Sequence, residues 1–130
     1  MTYKEMAALA RTLLNPKQYG EFFSAGVVAA VLEGANGKYY TGVNIDLACG
    51  LGFCAERSAA AAMITDGETA IRRVACVGQD GKPMPPCGSC REFIRQLSPE
   101  NENTEFLLCE EPLETIKLSE LLPSPWQKIG

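Results

Sequence analysis

Val27-Val28-Ala29-Ala30-Val31-Leu32-Glu33-Gly34-Ala35-Asn36-Gly37-Lys38-Tyr39-Tyr40-Thr41-Gly42-Val43 is the stretch on which the fold turns. Val27 to Leu32 form an apolar run with β-branched side chains, which suit a pleated surface better than a helix. Gly34, Asn36 and Gly37 supply turn chemistry and Tyr39 to Val43 resumes the extended pattern, so the segment predicts a β-hairpin. Before it, Tyr3, Met6, Leu9, Ala10, Leu13 and Leu14 recur at helical spacing behind Thr2, a suitable N-cap, until Asn15-Pro16 stops the pattern.

After the hairpin, Asp46, Gly50 and Gly52 give Asp46 to Phe53 the character of a loop. Ala59-Ala60-Ala61-Ala62 then favours a helix from Cys54 to Met63, with Gly67 as its stop. Val74 to Val77 predicts a short buried strand, and Gly81-Lys82-Pro83-Met84-Pro85-Pro86 excludes regular structure. Cys87 to Leu97 predicts a helix ended by Ser98-Pro99. Phe106 to Cys109 predicts a strand, and Leu118 to Leu122 a short helix closed by Pro123. This order makes an α/β chain whose sheet is layered with helices. No repeat, low-complexity tract or linker divides it, so residues 1–130 read as one domain.

With 130 residues, 46% hydrophobic and 22% charged, the chain can build one globular core. A net charge of -4, with Arg72-Arg73 as the only adjacent basic pair, argues against a nucleic-acid surface. Residues 1–11 include Lys4 and Glu5 and lack the apolar run of a signal peptide. Nothing later is apolar for long enough to span a membrane, so the expected compartment is the cytosol, where thiols stay reduced. Six cysteines there read as buried thiols or metal ligands, and with no histidine any zinc site must use Cys, Asp and Glu.

Cys54-Ala55-Glu56 and Pro86-Cys87-Gly88-Ser89-Cys90 carry the chemistry. Each begins where a loop containing Gly or Pro enters a predicted helix, so its thiols feel the positive end of a helix dipole. The two residues between Cys87 and Cys90 let both sulfurs reach one ion, with Cys54 as third ligand. Three protein ligands leave a place for water, as in a catalytic zinc site. Glu56 stands close enough to exchange protons with that water without joining the ligands. Three thiolates on a divalent ion leave a net charge of about -1, which Arg57 is expected to offset by donating to a ligand sulfur. Other readings stay open: Cys87-x-x-Cys90 alone serves a redox pair or half a zinc ribbon, and Cys49, Cys76 or Cys109 could close a four-thiolate structural site. Cys76 and Cys109 sit in apolar strand patterns and read as core.

Cys54-Ala55-Glu56-Arg57, followed some thirty residues later by Pro86-Cys87-Gly88-Ser89-Cys90-Arg91, resembles the small homotetrameric cytidine deaminases, a family that includes blasticidin S deaminase. The likeness runs from about Phe23 to Trp126 and takes in Thr41-Gly42-Val43-Asn44 and Glu120-Leu121-Leu122-Pro123-Ser124-Pro125-Trp126. It implies a three-layer α/β/α fold with a central mixed sheet and helices on both faces. It implies one zinc per chain on Cys54, Cys87 and Cys90, with Glu56 passing protons to the ring nitrogen beside the amine-bearing carbon and then to departing ammonia. The Ala55 amide would hold the pyrimidine carbonyl, Asn44 and Asp46 would face the sugar, and Trp126 would meet the substrate, often across a subunit boundary. The implied partners are a small nucleoside and three further copies of the chain, with no nucleic acid or membrane.

Two departures fall at the substrate end. The cytidine enzymes usually read Asn-x-Glu-Asn-Ala where this chain has Asn44-Ile45-Asp46-Leu47-Ala48. Their Tyr-Ser-x-Phe segment aligns with Phe23-Ser24-Ala25-Gly26, putting glycine where a base-stacking ring is expected. Phe22 and Phe23 read as core or as replacements for that ring. The expected reaction is deamination of cytidine or deoxycytidine, with altered specificity toward a modified aminopyrimidine nucleoside such as blasticidin S as the alternative. A non-catalytic nucleoside-binding module of the same fold is the further alternative.

Overall fold

The computed structural model describes residues 1–49 and 52–126. Helix α1 (Tyr3–Leu13) opens on a reciprocal cap: Thr2 Oγ1 accepts from the Glu5 amide at 3.1 Å and the Glu5 carboxylate accepts from the Thr2 amide at 2.8 Å. Strand β1 (Lys17–Gln18) is followed by the hairpin β2 (Phe23–Gly34) and β3 (Tyr39–Leu47). Then come α2 (Ala55–Thr65), β4 (Ile71–Val77), α3 (Gly88–Leu97), a 3-10 turn (Pro99–Asn103), β5 (Glu105–Cys109), β6 (Glu114–Lys117) and α4 (Leu118–Leu121). The sheet is mixed: β4 and β5 run parallel and the other pairs antiparallel. β3 takes one edge of β2, while β1 and β4 share the other.

Strand alternation divides the core into two layers. Ala29 and Val31 of β2, Ala75 and Val77 of β4 and Leu107 of β5 pack against Tyr3, Met6, Ala7 and Ala10 of α1. Their neighbours Leu32, Val74 and Phe106 face the other way, against Ala59 and Met63 of α2, Ile94 of α3 and Leu118 of α4. Ala30 and Cys76 meet Ala55 on that second face. Helices therefore cover both faces of the sheet, as expected.

The strands run longer than their apolar runs. β3 continues through Asp46, expected in a loop, because Ser24 and Ala25 pair with Asp46 and Ile45. β4 starts at Ile71, where the two arginines had masked the pattern; Arg73 sits opposite Glu33 and its Nε is 2.6 Å from the Glu33 carboxylate. β1 and β6 carry polar residues and stand at edges, so they lack an apolar alternation. Phe22 is 69% exposed rather than core, and half-buried Phe23 lies with its ring centroid 4.8 Å from that of Tyr19. Cys76 is buried as expected, whereas Cys109 is only half-buried. Gly26 has φ +92°, and a methyl group there would stand 2.2 Å from the Asn15 carbonyl oxygen, so only glycine fits. Among the described residues no helix is long and apolar enough to cross a membrane.

Candidate metal centre

Cys54 and Cys87 hold equivalent places, each as the N-cap of its helix with extended backbone (φ -68°, ψ 152° and φ -67°, ψ 167°). Both thiols thus stand at the positive end of a helix. Cys90, fully buried in the first turn of α3, has its backbone N–H 3.5 Å from Cys87 Sγ. Close packing sets the two helix tips beside each other. On β3, a methyl group at Gly42 would stand 2.4 Å from the Ala59 nitrogen, 2.6 Å from Ser58 Cβ and 2.8 Å from the Ala55 oxygen, so glycine lets α2 lie against the hairpin. Ser58 Oγ fastens that contact by donating to the Val43 carbonyl at 2.8 Å. α3 is held by Arg91, whose guanidinium donates to the Pro86 carbonyl at 3.0 Å and to the Leu121 carbonyl at 3.1 Å.

The sulfurs of Cys54, Cys87 and Cys90 lie within 4.8 Å of one another, with Cys54 and Cys87 3.5 Å apart. A tetrahedral zinc with Zn–S of about 2.3 Å spaces its sulfurs by roughly 3.8 Å, so this donor set fits the ion. Among the described residues Cys49, Cys76 and Cys109 do not join the cluster, which disfavours a closed four-thiolate site. A redox pair would not require the third thiol. Three protein donors is the count used by catalytic zinc.

Cys54 and Cys87 line a cavity of about 280 Å³ together with Asn44, Asp46, Phe53, Ala55 and Glu56. Glu56, only 4% exposed, has its carboxyl pushed above the ordinary carboxylate range by burial, against the pull of its own backbone amide and the Cys76 thiol. Burial likewise raises the thiol pKa values of Cys54 and Cys90. Burial also pushes Cys87 up, but the Cys90 amide hydrogen bond and the adjacent thiols outweigh it, leaving Cys87 below the ordinary range.

Asn44, Asp46 and Ala55 line the same cavity, and Asn44 is partly committed to the fold. Its Oδ1 accepts the amides of Val27 and Val28 at 2.9 and 3.0 Å, where the β2–β3 register shifts, and its Nδ2 faces Asp46 at 3.3 Å. One expected placement differs. The Arg57 guanidinium donates to Ser89 Oγ and lies 5.0 Å over the Phe93 ring, not on a ligand sulfur, because Ser89 and Phe93 present the nearer face of α3. Trp126 is 78% exposed and outside the cavity of its own chain, its backbone N–H held by the Glu92 carboxylate at 2.9 Å. Phe53 and Met84 also line the cavity and were not singled out from the sequence; their one signal was proximity to Cys54 and Cys87.

Residues 3–103 match the family model described as the cytidine and deoxycytidylate deaminase zinc-binding region. A cytidine deaminase of Halalkalibacterium halodurans is 33% identical over 102 residues, covering 78% of this chain and 77% of that protein. The crystal structure of a cytidine deaminase from Burkholderia pseudomallei superimposes with TM-score 0.77 at 27% identity, covering 97% of this chain and 100% of that one. A mutant cytidine deaminase from Mycobacterium tuberculosis gives TM-score 0.78 at 23% identity, with 98% and 99% covered, a likeness of fold alone. Both motifs that build the sulfur cluster fall inside the matched segment, and the chain belongs to the cytidine and deoxycytidylate deaminase zinc-binding family.

Proposed function

We propose that this chain is a hydrolytic deaminase that converts cytidine or deoxycytidine to the uridine form with release of ammonia, as a single domain over residues 1–130. The observation that carries the reading is a three-thiol cluster of which Cys54 and Cys87 line one cavity with the buried carboxyl of Glu56. Cys54, Cys87 and Cys90 hold the zinc, whose Lewis acidity makes water a nucleophile near neutral pH. Glu56 accepts one proton from the attacking water and delivers it to the ring nitrogen beside the amine-bearing carbon, then takes the second from the hydroxyl now on that carbon and passes it to the leaving amine, which departs as ammonia. Its raised pKa suits a group that must both take and give a proton. The Ala55 N–H belongs to the first helical residue, which has no intrahelical acceptor, and is free to hold the pyrimidine carbonyl. Asn44 Nδ2 and the Asp46 carboxylate meet the sugar hydroxyls. Arg57 steadies the metal site from outside by holding Ser89, between two ligands.

Exposed Trp126 supports a homotetramer in which each indole reaches a neighbouring cavity, and the expected setting is the cytoplasm. A modified aminopyrimidine nucleoside such as blasticidin S is the second reading. It is favoured by Asp46 and by Gly26, a position that can carry no ring against the substrate. The deciding experiment incubates zinc-loaded protein with cytidine, deoxycytidine, blasticidin S and cytosine and follows ultraviolet absorbance. Glu56→Gln is expected to keep one zinc per chain and lose about 10²- to 10⁴-fold in kcat. Cys87→Ser is expected to lose zinc and turnover together. Wild-type turnover in Glu56→Gln would end the assignment, and binding without product in the wild-type protein would turn it to a non-catalytic module.

A further inference from the structure

We propose that Phe53 is the ring against which the flat heterocycle of the substrate packs, making it a specificity-determining residue of the cavity; this rests on the nucleoside reading above. Phe53 is the one aromatic side chain among the described residues of the lining, where Val28, Met84 and Pro85 supply the other apolar surface. Phe22 and Phe23 lie outside that lining, and Gly26 has no room for any side chain.

The backbone that carries the ring is held in place. The Phe53 amide donates to the Ile45 carbonyl at 2.8 Å, and the Ile45 amide donates back to the Phe53 carbonyl at 2.8 Å. This bridge pins the Phe53 backbone to β3 one residue before the ligand Cys54, so the ring springs from the same support as the metal centre. Such a backbone bridge needs no aromatic side chain. Phe53 nevertheless keeps 38% of its surface exposed in a concave site, apolar area that a bound ring would cover. Rings that pack together gain affinity beyond the area they bury, on the order of 2- to 10-fold.

Uridine and 5,6-dihydrouridine are the probes, since both present the product's polar groups and only uridine has a planar ring. Their affinities for the zinc-loaded protein are measured by calorimetry for wild type, Phe53→Leu and Phe53→Tyr. Wild type is expected to prefer uridine by about 3- to 10-fold. Phe53→Tyr should keep that preference. Phe53→Leu should reduce it to about twofold or less while retaining zinc and Tm. An undiminished preference in Phe53→Leu overturns this inference alone. Loss of zinc in Phe53→Leu overturns it as well, because the ring would then be holding Cys54 rather than the base. Wild-type protein that binds neither probe overturns the inference together with the nucleoside reading.

Discussion

Replacing Gly42 by alanine tests whether the fit of α2 against the hairpin sets the metal centre. The added methyl group would stand 2.4 Å from the Ala59 nitrogen and 2.8 Å from the Ala55 oxygen, both backbone atoms of the helix that Cys54 caps. Ordinary contact begins near 3.4 Å, so α2 must retreat by about 1 Å or tilt. Cys87 and Cys90 belong to α3 and do not follow that movement. Metal–ligand distances tolerate only about 0.2 Å, so the displaced Cys54 sulfur no longer closes the ligand set without strain. The expected cost is about 1–3 kcal/mol of stability from overpacking. Zinc affinity should weaken by about 10- to 100-fold, the range seen when support around a ligand is lost. Urea denaturation of the metal-free protein reads the first effect and competition with a chromophoric chelator the second. Gly88→Ala is the control: nothing lies within 4 Å of a methyl group there, and zinc affinity should not change. A Gly42→Ala protein with wild-type zinc affinity and an unchanged urea midpoint would refute the reasoning.

Three further outcomes follow from the same contacts. Zinc takes up thiolates, whereas burial raises the pKa values of Cys54 and Cys90 in the metal-free protein, so at least two protons leave per ion near pH 7. Apparent zinc affinity should then rise by about 100-fold from pH 6 to pH 7, roughly tenfold for each proton; calorimetry in buffers of different ionisation enthalpy counts the protons, and a release below two contradicts the burial argument. Asn44→Ala leaves the Val27 and Val28 amides without their acceptor and should cost about 1–3 kcal/mol in urea, whereas Asn44→Asp keeps the acceptor and most of the stability; equal losses would show that the bulge does not depend on Oδ1. Trp126→Ala should leave the zinc content unchanged and raise KM, since the indole lies apart from the thiol cluster and is exposed in its own chain; an active monomer in sedimentation would remove the shared-cavity reading.

The metal helices were legible because several local rules agree at the same residues. Gly52 and Pro86 lie just before Cys54 and Cys87, a helical pattern follows each, and Cys54 and Cys87 occupy N-cap positions. Strand ends were less legible, since ladder bonds are made by backbone atoms whatever the side chain; Asp46 and Arg72 lie inside strands for that reason. Arg57 was misplaced because its helix position is local while its choice between a sulfur, Ser89 and Phe93 depends on how α2 meets α3. Phe53 escaped notice in a stretch that reads as loop, and its role in the cavity arises from a bridge to Ile45 eight residues earlier. Gly26 was noticed as a missing ring, but its cause is the Asn15 carbonyl, on a segment that precedes β2.

The two ends of the cavity differ in what a substitution would cost. At the inner end Glu56 is nearly sealed beside Ala55, which packs on Ala30 and Cys76, and Cys90 is fully buried. A change there disturbs packing, charge and metal together, the setting in which single substitutions cost several kcal/mol. At the outer end Asp46 is an exposed residue near the end of β3, where a substitution ordinarily changes stability by no more than about 0.5 kcal/mol. Asp46 can therefore be exchanged for a longer or uncharged residue with little effect on folding or zinc, while the lining of the cavity changes directly. On the proposed reading the fold would permit the substrate to be altered while the deamination chemistry is kept, since the departures from the cytidine pattern at Gly26 and Asp46 both fall in the hairpin, outside the helices that carry the three cysteines.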